Sequence, residues 1–138
     1  MRCRSHSPLV AKGARRRYRL IVFTDEASAP YDRVKLSDFF RTRNPADLLL
    51  DTPNGYRDHG IELRLGEAVT KNDPLQQLLH TTRSAAIAYD HTVLATGSHP
   101  FVPSIDGIHQ DDVFVYRTLE DLQAILQRSK AARRAAVT

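Results

Sequence analysis

The sequence predicts an α/β fold in which a parallel sheet is combined with a β-hairpin or meander. Two apolar runs that contain β-branched residues, Tyr18–Phe23 and Thr92–Ala95, are typical of buried strands. A third run, Ile61–Leu65, alternates apolar and charged residues and predicts a half-exposed strand. Helical segments lie between and after these runs, and that alternation is typical of a parallel sheet.

The sequence predicts two short helical segments in the first half of the chain and a longer helix near its end. Ser37 is in position to cap a short helix over residues 38–41. Pro53–His59 predicts a helical turn that Gly60 ends in the left-handed conformation. Thr118 predicts the start of an amphipathic helix that runs to about Arg134. Its capping box is completed by Asp121, and its apolar face is formed by Leu119, Leu122, Ile125 and Leu126.

The remaining segments have strand character. Gly66–Thr70 follows the strand at 61–65 and is expected to continue it after a bulge or turn. Residues 71–88 favour a hairpin over a short helix, because Ile87–Tyr89 leads directly into the next strand. Val113–Tyr116 predicts a further short strand.

The charge is concentrated at the two ends of the chain. The net charge is +4 over 138 residues, yet residues 1–19 contain seven Lys or Arg and no acid, and Arg128, Lys130, Arg133 and Arg134 add four more. The rest of the chain is therefore net acidic. Only Tyr18 lies within the basic run as a stacking side chain, so a solvated tail is favoured over a nucleic-acid interface.

Several kinds of chemistry are excluded by residue type. The single cysteine, Cys3, cannot form an internal disulfide or a CxxC redox pair, and it favours a reducing, cytoplasmic setting. The six histidines lack the spacing of a metal site, so no metal is expected. We see no nucleophile elbow and identify no catalytic residue. No apolar run is long enough to cross a bilayer.

Three small features have both a binding and a plain structural interpretation. Ala95, Thr96 and Gly97 form a small-residue turn after a strand, where open α/β sheets place ligands. Asp25 and Glu26 follow the first strand and could accept ribose hydroxyls or simply face solvent. Arg33 or Lys35 in the next loop could bind a phosphate or remain solvated.

Four blocks in one order resemble the flavoprotein disulfide-reductase superfamily without its redox disulfide. Within it, they are similar to the N-terminal FAD region of NAD(P)H-dependent nitrite reductase large subunits, and rubredoxin or ferredoxin reductases are the alternative. The blocks are YRLIVFTDEASAPYDRVKLSDFF, YRDHGIELRLGEAVT, AYDHTVLATGSHPFVPSIDGI and VFVYRTLEDLQAI.

The resemblance implies an FAD-binding, Rossmann-like fold and a set of cofactor contacts. Electrons would pass from NAD(P)H through FAD to an acceptor in the complete protein. The contacts implied for FAD are the acids after the first strand, the arginine of the YDRV loop, a strand residue near the adenine and the ATG turn: Asp25, Glu26, Arg33, Val69, Ala95, Thr96 and Gly97.

The chain also departs from that family pattern. The family begins with a GxGxxG strand–helix unit that binds the FAD pyrophosphate, and no such motif occurs in this sequence. We therefore expect a divergent basic tail at 1–12, a partial FAD-binding domain at 13–112, and a crossover strand and helix at 113–138 that begin a truncated NAD(P)-binding domain. No NAD(P)H site is expected in this chain. The expected partner is the remainder of the oxidoreductase or another subunit; alternatively, the chain is a non-catalytic remnant or a partner-binding module.

Overall fold

The α/β fold class is confirmed by a computed structural model that describes residues 18–137. The basic tail expected at 1–12 lies outside the described residues. In chain order the elements are β1 (Leu20–Phe23), a 3-10 helix (Arg33–Asp38), α1 (Phe39–Thr42), a second 3-10 helix (Pro45–Leu48), α2 (Pro53–Asp58), β2 (Ile61–Arg64), β3 (Val69–Asp73), β4 (Leu78–Thr81), β5 (Ile87–Ala88) and α3 (Leu119–Ser129). None of the described helices is long and apolar enough to cross a membrane.

The chain divides into two compact units. The first contains the described residues 18–31 and 49–94, and the second contains 32–48 and 95–137. All five strands lie in the first unit, and α1 and α3 lie in the second.

Two sheets form the first unit. β1 pairs with β2 in parallel, with Leu20 opposite Ile61, so both predicted strands are confirmed. α2 lies against β2, and the Thr52 hydroxyl caps it by accepting from the Gly55 N–H at 2.9 Å. The helix ends before Gly60, whose φ of +69° is the left-handed conformation that its position predicts.

The second sheet is an antiparallel meander in the order β3–β4–β5, which confirms the predicted hairpin. The expectation that Gly66–Thr70 continues the preceding strand is wrong. Gly66 turns the chain at a φ of +60°, and β3 begins only at Val69, in a different sheet from β2. A positive φ suits glycine because it has no Cβ, and it cannot be part of a regular strand.

In the second unit the helical segment begins earlier than predicted. Asp32 caps the first 3-10 helix by accepting from the Val34 N–H at 3.1 Å. Ser37 therefore lies inside that helix, and its predicted capping role is wrong. α1 follows without a side-chain cap, because the preceding 3-10 turn already leads into it.

α3 begins as predicted and ends sooner. Thr118 and Asp121 form the reciprocal capping box, and Leu119 and Leu122 are buried. The helix stops at Ser129 rather than near Arg134. At helical spacing from Leu126 the sequence has Ser129, Lys130 and Arg133, which are polar, so burial of a large apolar side chain does not stabilise another turn.

Two predicted strands, Thr92–Ala95 and Val113–Tyr116, do not form. Both segments are exposed and irregular; Val93, for example, is 84% exposed. A strand needs a hydrogen-bonding neighbour, and within residues 18–137 neither segment has one. Their β-branched composition gives strand propensity, but propensity without a partner does not produce a strand.

Candidate cofactor-binding site

The end of β1 is joined to the end of β2 by backbone hydrogen bonds. The Thr24 N–H donates to the Arg64 carbonyl at 3.1 Å, and the Glu67 N–H donates to the Thr24 carbonyl at 2.9 Å. The Gly66 N–H donates to the Glu26 carbonyl at 2.9 Å. These bonds fix the loop that carries the two predicted ribose-binding acids.

The two acids differ in how they are engaged. Glu26 Oε2 accepts a 2.6 Å hydrogen bond from the Tyr31 hydroxyl, and Tyr31 is buried. Asp25 is exposed, and its carboxylate makes no hydrogen bond or ion pair with another described residue. Of the pair, Asp25 therefore has the carboxylate that is open to a ligand, and Glu26 stabilises the loop.

Val69 lies at the start of β3, opposite Thr81, where the register shifts before Lys71. Its side chain is exposed. Such an apolar side chain at a strand end could contact a flat aromatic group, as the adenine interpretation requires. Asp25, Glu26 and Val69 all belong to the first unit.

Glu67 is a buried acid that the sequence did not single out. It is 5% exposed and accepts hydrogen bonds from the hydroxyls of Thr81, at 2.5 Å, and Ser84, at 3.2 Å. Arg64 Nη1 lies 3.5 Å from the same Oε1 atom. The Thr81 hydrogen bond, with the others, holds the pKa of Glu67 below its ordinary value. The only sequence signal was an acid directly after a turn glycine, and that pattern does not distinguish a buried from a solvated carboxylate.

The second unit contains the other predicted contacts, Arg33, Ala95, Thr96 and Gly97. Ala95–Gly97 are exposed, and their backbone forms no hydrogen bond with another described residue. Gly97 has a φ of +70°, which an L-amino acid with a side chain adopts only with strain. The backbone N–H groups of this turn are thus available to a ligand, and position 97 favours glycine.

Arg117 connects these predicted residues, and sequence reasoning missed it. Arg33 Nη1 donates to the Arg117 carbonyl oxygen at 3.1 Å. Arg117 Nη2 lies 3.5 Å from the position that a Cβ on Gly97 would occupy. The structure therefore brings Arg33 and the ATG turn together through Arg117. In the sequence, Arg117 is only an arginine directly before the helix-capping Thr118. A solvated arginine can equally occupy that position.

No group of three or more His, Cys, Asp or Glu side chains suited to a metal ion occurs within residues 18–137. Taken separately, the first unit holds the candidate carboxylates, and the second unit holds two arginines and the glycine turn. The carboxylates suit sugar hydroxyls, and the arginines suit phosphate.

Comparison with known proteins gives consistent matches over almost the whole chain. The sequence model of the family described as pyridine nucleotide-disulphide oxidoreductase matches residues 9–138. The chain is 41% identical over 128 residues to the nitrite reductase [NAD(P)H] large subunit of Klebsiella oxytoca, covering 93% of this chain and 13% of that protein. It is 35% identical over 129 residues to the nitrite reductase (NADH) large subunit of Escherichia coli, covering 94% of this chain and 15% of that protein.

The fold has a similar neighbour among solved structures. The ferredoxin reductase for the CYP199A2 system from Rhodopseudomonas palustris superposes with a TM-score of 0.79 at 26% identity, covering 88% of this chain and 30% of that one. The chain thus spans less than a third of the length of each of these three proteins.

Proposed function

Because the chain belongs to the pyridine nucleotide-disulphide oxidoreductase family, we propose that it is part of the FAD-binding region of an NAD(P)H-dependent oxidoreductase of the nitrite reductase type. The observation that carries the proposal is the 41% identity to a nitrite reductase large subunit over 93% of this chain. Its partner is the remainder of that oxidoreductase, which holds the NAD(P)H site and the final acceptor. With a single cysteine, the protein works in the reducing cytoplasm.

The described residues fit parts of FAD. The open carboxylate of Asp25 suits the adenine ribose hydroxyls, and the exposed Val69 suits the adenine ring. Arg33 and the Thr96–Gly97 turn suit the phosphates. When bound, FAD supplies the two-electron chemistry, and these residues only bind and orient it.

The isolated chain binds FAD weakly or not at all and has no turnover. It has no GxGxxG loop, which is the preorganised row of N–H donors that holds the pyrophosphate in dinucleotide folds. The experiment is to purify the 138-residue chain, add FAD, and measure flavin retained after gel filtration and NADH oxidation. Stoichiometric flavin that NADH reduces would contradict this account of the isolated chain.

The FAD assignment itself is tested in the complete oxidoreductase. Asp25→Asn should weaken FAD binding about tenfold, because a charged hydrogen-bond acceptor is lost. Asp58→Asn is a matched control, since Asp58 is also exposed and makes no hydrogen bond or ion pair with another described residue. Equal FAD affinity of both variants and the parent would contradict the ribose role.

A second candidate function is that of a non-catalytic module that a partner completes. It is favoured by the strand-forming segments Thr92–Ala95 and Val113–Tyr116, which have no strand neighbour within the described chain. In that case the lone chain melts at low temperature over a broad range. A sharp thermal transition of a monomer, measured by circular dichroism and light scattering, would count against it.

A further inference from the structure

Asn54 and Gly55, in the first turn of α2, form a chemically reactive pair. The backbone nitrogen that follows an asparagine can attack the carbon of its side-chain amide. A glycine leaves that nitrogen unhindered, because it has no Cβ. Asn54 is exposed, so water reaches its side chain. The pair therefore has the composition of a site of spontaneous deamidation.

Packing around α2 favours glycine at position 55. The carboxylate of Asp51 occupies the place that a Cβ on Gly55 would take. That carboxylate is itself held, since its Oδ1 accepts from the Thr52 N–H at 2.7 Å and its Oδ2 lies 3.4 Å from His59 Nδ1. A larger residue at position 55, which would slow the attack, requires Asp51 to move. The unhindered nitrogen beside Asn54 is thus a consequence of the local packing.

The closed form of α2 blocks the attack. The Gly55 N–H donates to the Thr52 hydroxyl at 2.9 Å, and Arg57 Nη2 donates to Asn54 Oδ1 at 3.1 Å. Ring closure also requires a ψ angle at Asn54 that is well away from the helical value. The reaction therefore takes place when α2 opens. Opening costs little free energy, because α2 has six residues and none of them is buried.

We propose that Asn54 is a site of spontaneous deamidation that is gated by the opening of α2. The Gly55 nitrogen loses its proton and bonds to Asn54 Cγ, while the bond from Cγ to the side-chain nitrogen breaks and ammonia leaves. Water then opens the cyclic imide at either carbonyl, which gives aspartate or isoaspartate and adds a negative charge. The reaction consumes only water, so the proposal does not depend on the FAD assignment.

The two products change α2 in opposite directions. Aspartate at position 54 places a negative charge in the first turn of the helix, beside Arg57, and so favours the helix. Isoaspartate adds a methylene to the backbone, which disrupts the hydrogen bond from the Tyr56 N–H to the Thr52 carbonyl. Because α2 lies against β2, the isoaspartate form loosens this helix from the sheet of the first unit.

The experiment incubates the full chain at mildly alkaline pH and measures aspartate and isoaspartate at each asparagine by peptide mapping with mass spectrometry. The chain supplies two internal controls. Asn44 precedes Pro45, whose nitrogen has no proton to lose, and Asn72 lies in β3, where its Oδ1 accepts from the Tyr89 hydroxyl at 2.7 Å. Asn54 should be converted faster than Asn72, and Asn44 should remain unconverted.

Variants of the cap test the gate. Thr52→Ala should raise the rate of conversion at Asn54 about fivefold, which is the change in open population that the loss of a side-chain cap produces. Thr52→Ser keeps the hydroxyl and should react at the rate of the parent chain. Conversion at Asn54 no faster than at Asn72, or equal rates in the two variants, would overturn the proposal. Equal rates at Asn54 in the folded parent chain and in urea would also overturn it, and circular dichroism shows that each variant has folded.

Discussion

The capping box of α3 allows a helix cap to be separated from the general effect of an acid at a helix start. Glu120 and Asp121 both lie in the first turn, so each interacts favourably with the helix dipole. Only Asp121 also accepts the backbone N–H groups of Arg117 and Thr118. Replacing each acid by alanine therefore removes a similar charge, and only one replacement removes the hydrogen bonds.

The expected magnitudes follow from that difference. Glu120→Ala should lower the free energy of unfolding by about 0.5 kcal/mol, which is the dipole contribution at an exposed site. Asp121→Ala should lower it by about 2 kcal/mol, because the dipole contribution and the cap are lost together. α3 contains the buried Leu119 and Leu122, so a loss of helix stability is transmitted to the unit that it stabilises.

The assay is urea unfolding followed by the helical circular dichroism signal. Thr118→Ala and the double variant Thr118→Ala/Asp121→Ala complete a double-mutant cycle. Since the two side chains cap each other's backbone, the double variant should lose less than the sum of the single losses. Equal losses in Glu120→Ala and Asp121→Ala, or strict additivity in the cycle, would refute the reasoning.

Three further predictions concern packing, backbone strain and pH. Leu122→Ala should lower the free energy of unfolding by about 3 kcal/mol, whereas Leu75→Ala should change it by less than about 0.5 kcal/mol, because Leu122 is fully buried and Leu75 is 96% exposed. Arg43 ends α1 with a φ of +54°, so Arg43→Gly should leave the free energy of unfolding unchanged or raise it by up to about 1 kcal/mol. Arg41 lies inside α1, so Arg41→Gly should lower that free energy by about 1 kcal/mol. Urea unfolding measures both changes. Because the pKa of Glu67 is lowered in the folded chain, its contribution to stability is present above its unfolded pKa and is lost as the pH falls through its folded pKa. Thr81→Val removes the main cause, so the Glu67 pKa measured by NMR should rise towards its ordinary value, and an unchanged pKa would contradict this assignment.

Secondary structure is predicted best where the local residue pattern and the tertiary contacts of a segment favour the same element. β1 and β2 were found because their patterns are satisfied by pairing with each other, and α3 because its cap and its apolar face lie in one segment. Thr92–Ala95 has as good a strand pattern as β1, yet no neighbour within the described chain pairs with it. Its outcome depends on a partner that the segment itself does not encode.

The candidate site shows the same limit at the level of side chains. Asp25 and Glu26 look equivalent in sequence, but the Tyr31 hydroxyl engages only Glu26. The sequence does not distinguish Arg117 and Glu67 from solvated residues, because their roles depend on their neighbours in space. Arg117 lies beside a glycine turn and accepts a hydrogen bond from Arg33. Glu67 accepts hydrogen bonds from two hydroxyls. Neither environment is contained in a motif.

The pairing of β1 with β2 has a consequence for the order in which the first unit folds. β3 and β4 are joined by a short turn, so their hairpin closes a small loop and can form on the microsecond scale. Leu20 meets Ile61 only after the intervening chain, including the residues of the second unit, has been brought together. When the full-length chain refolds, the hairpin is therefore expected to form before the parallel pair closes, and the late step is the one that creates the loop bearing Asp25.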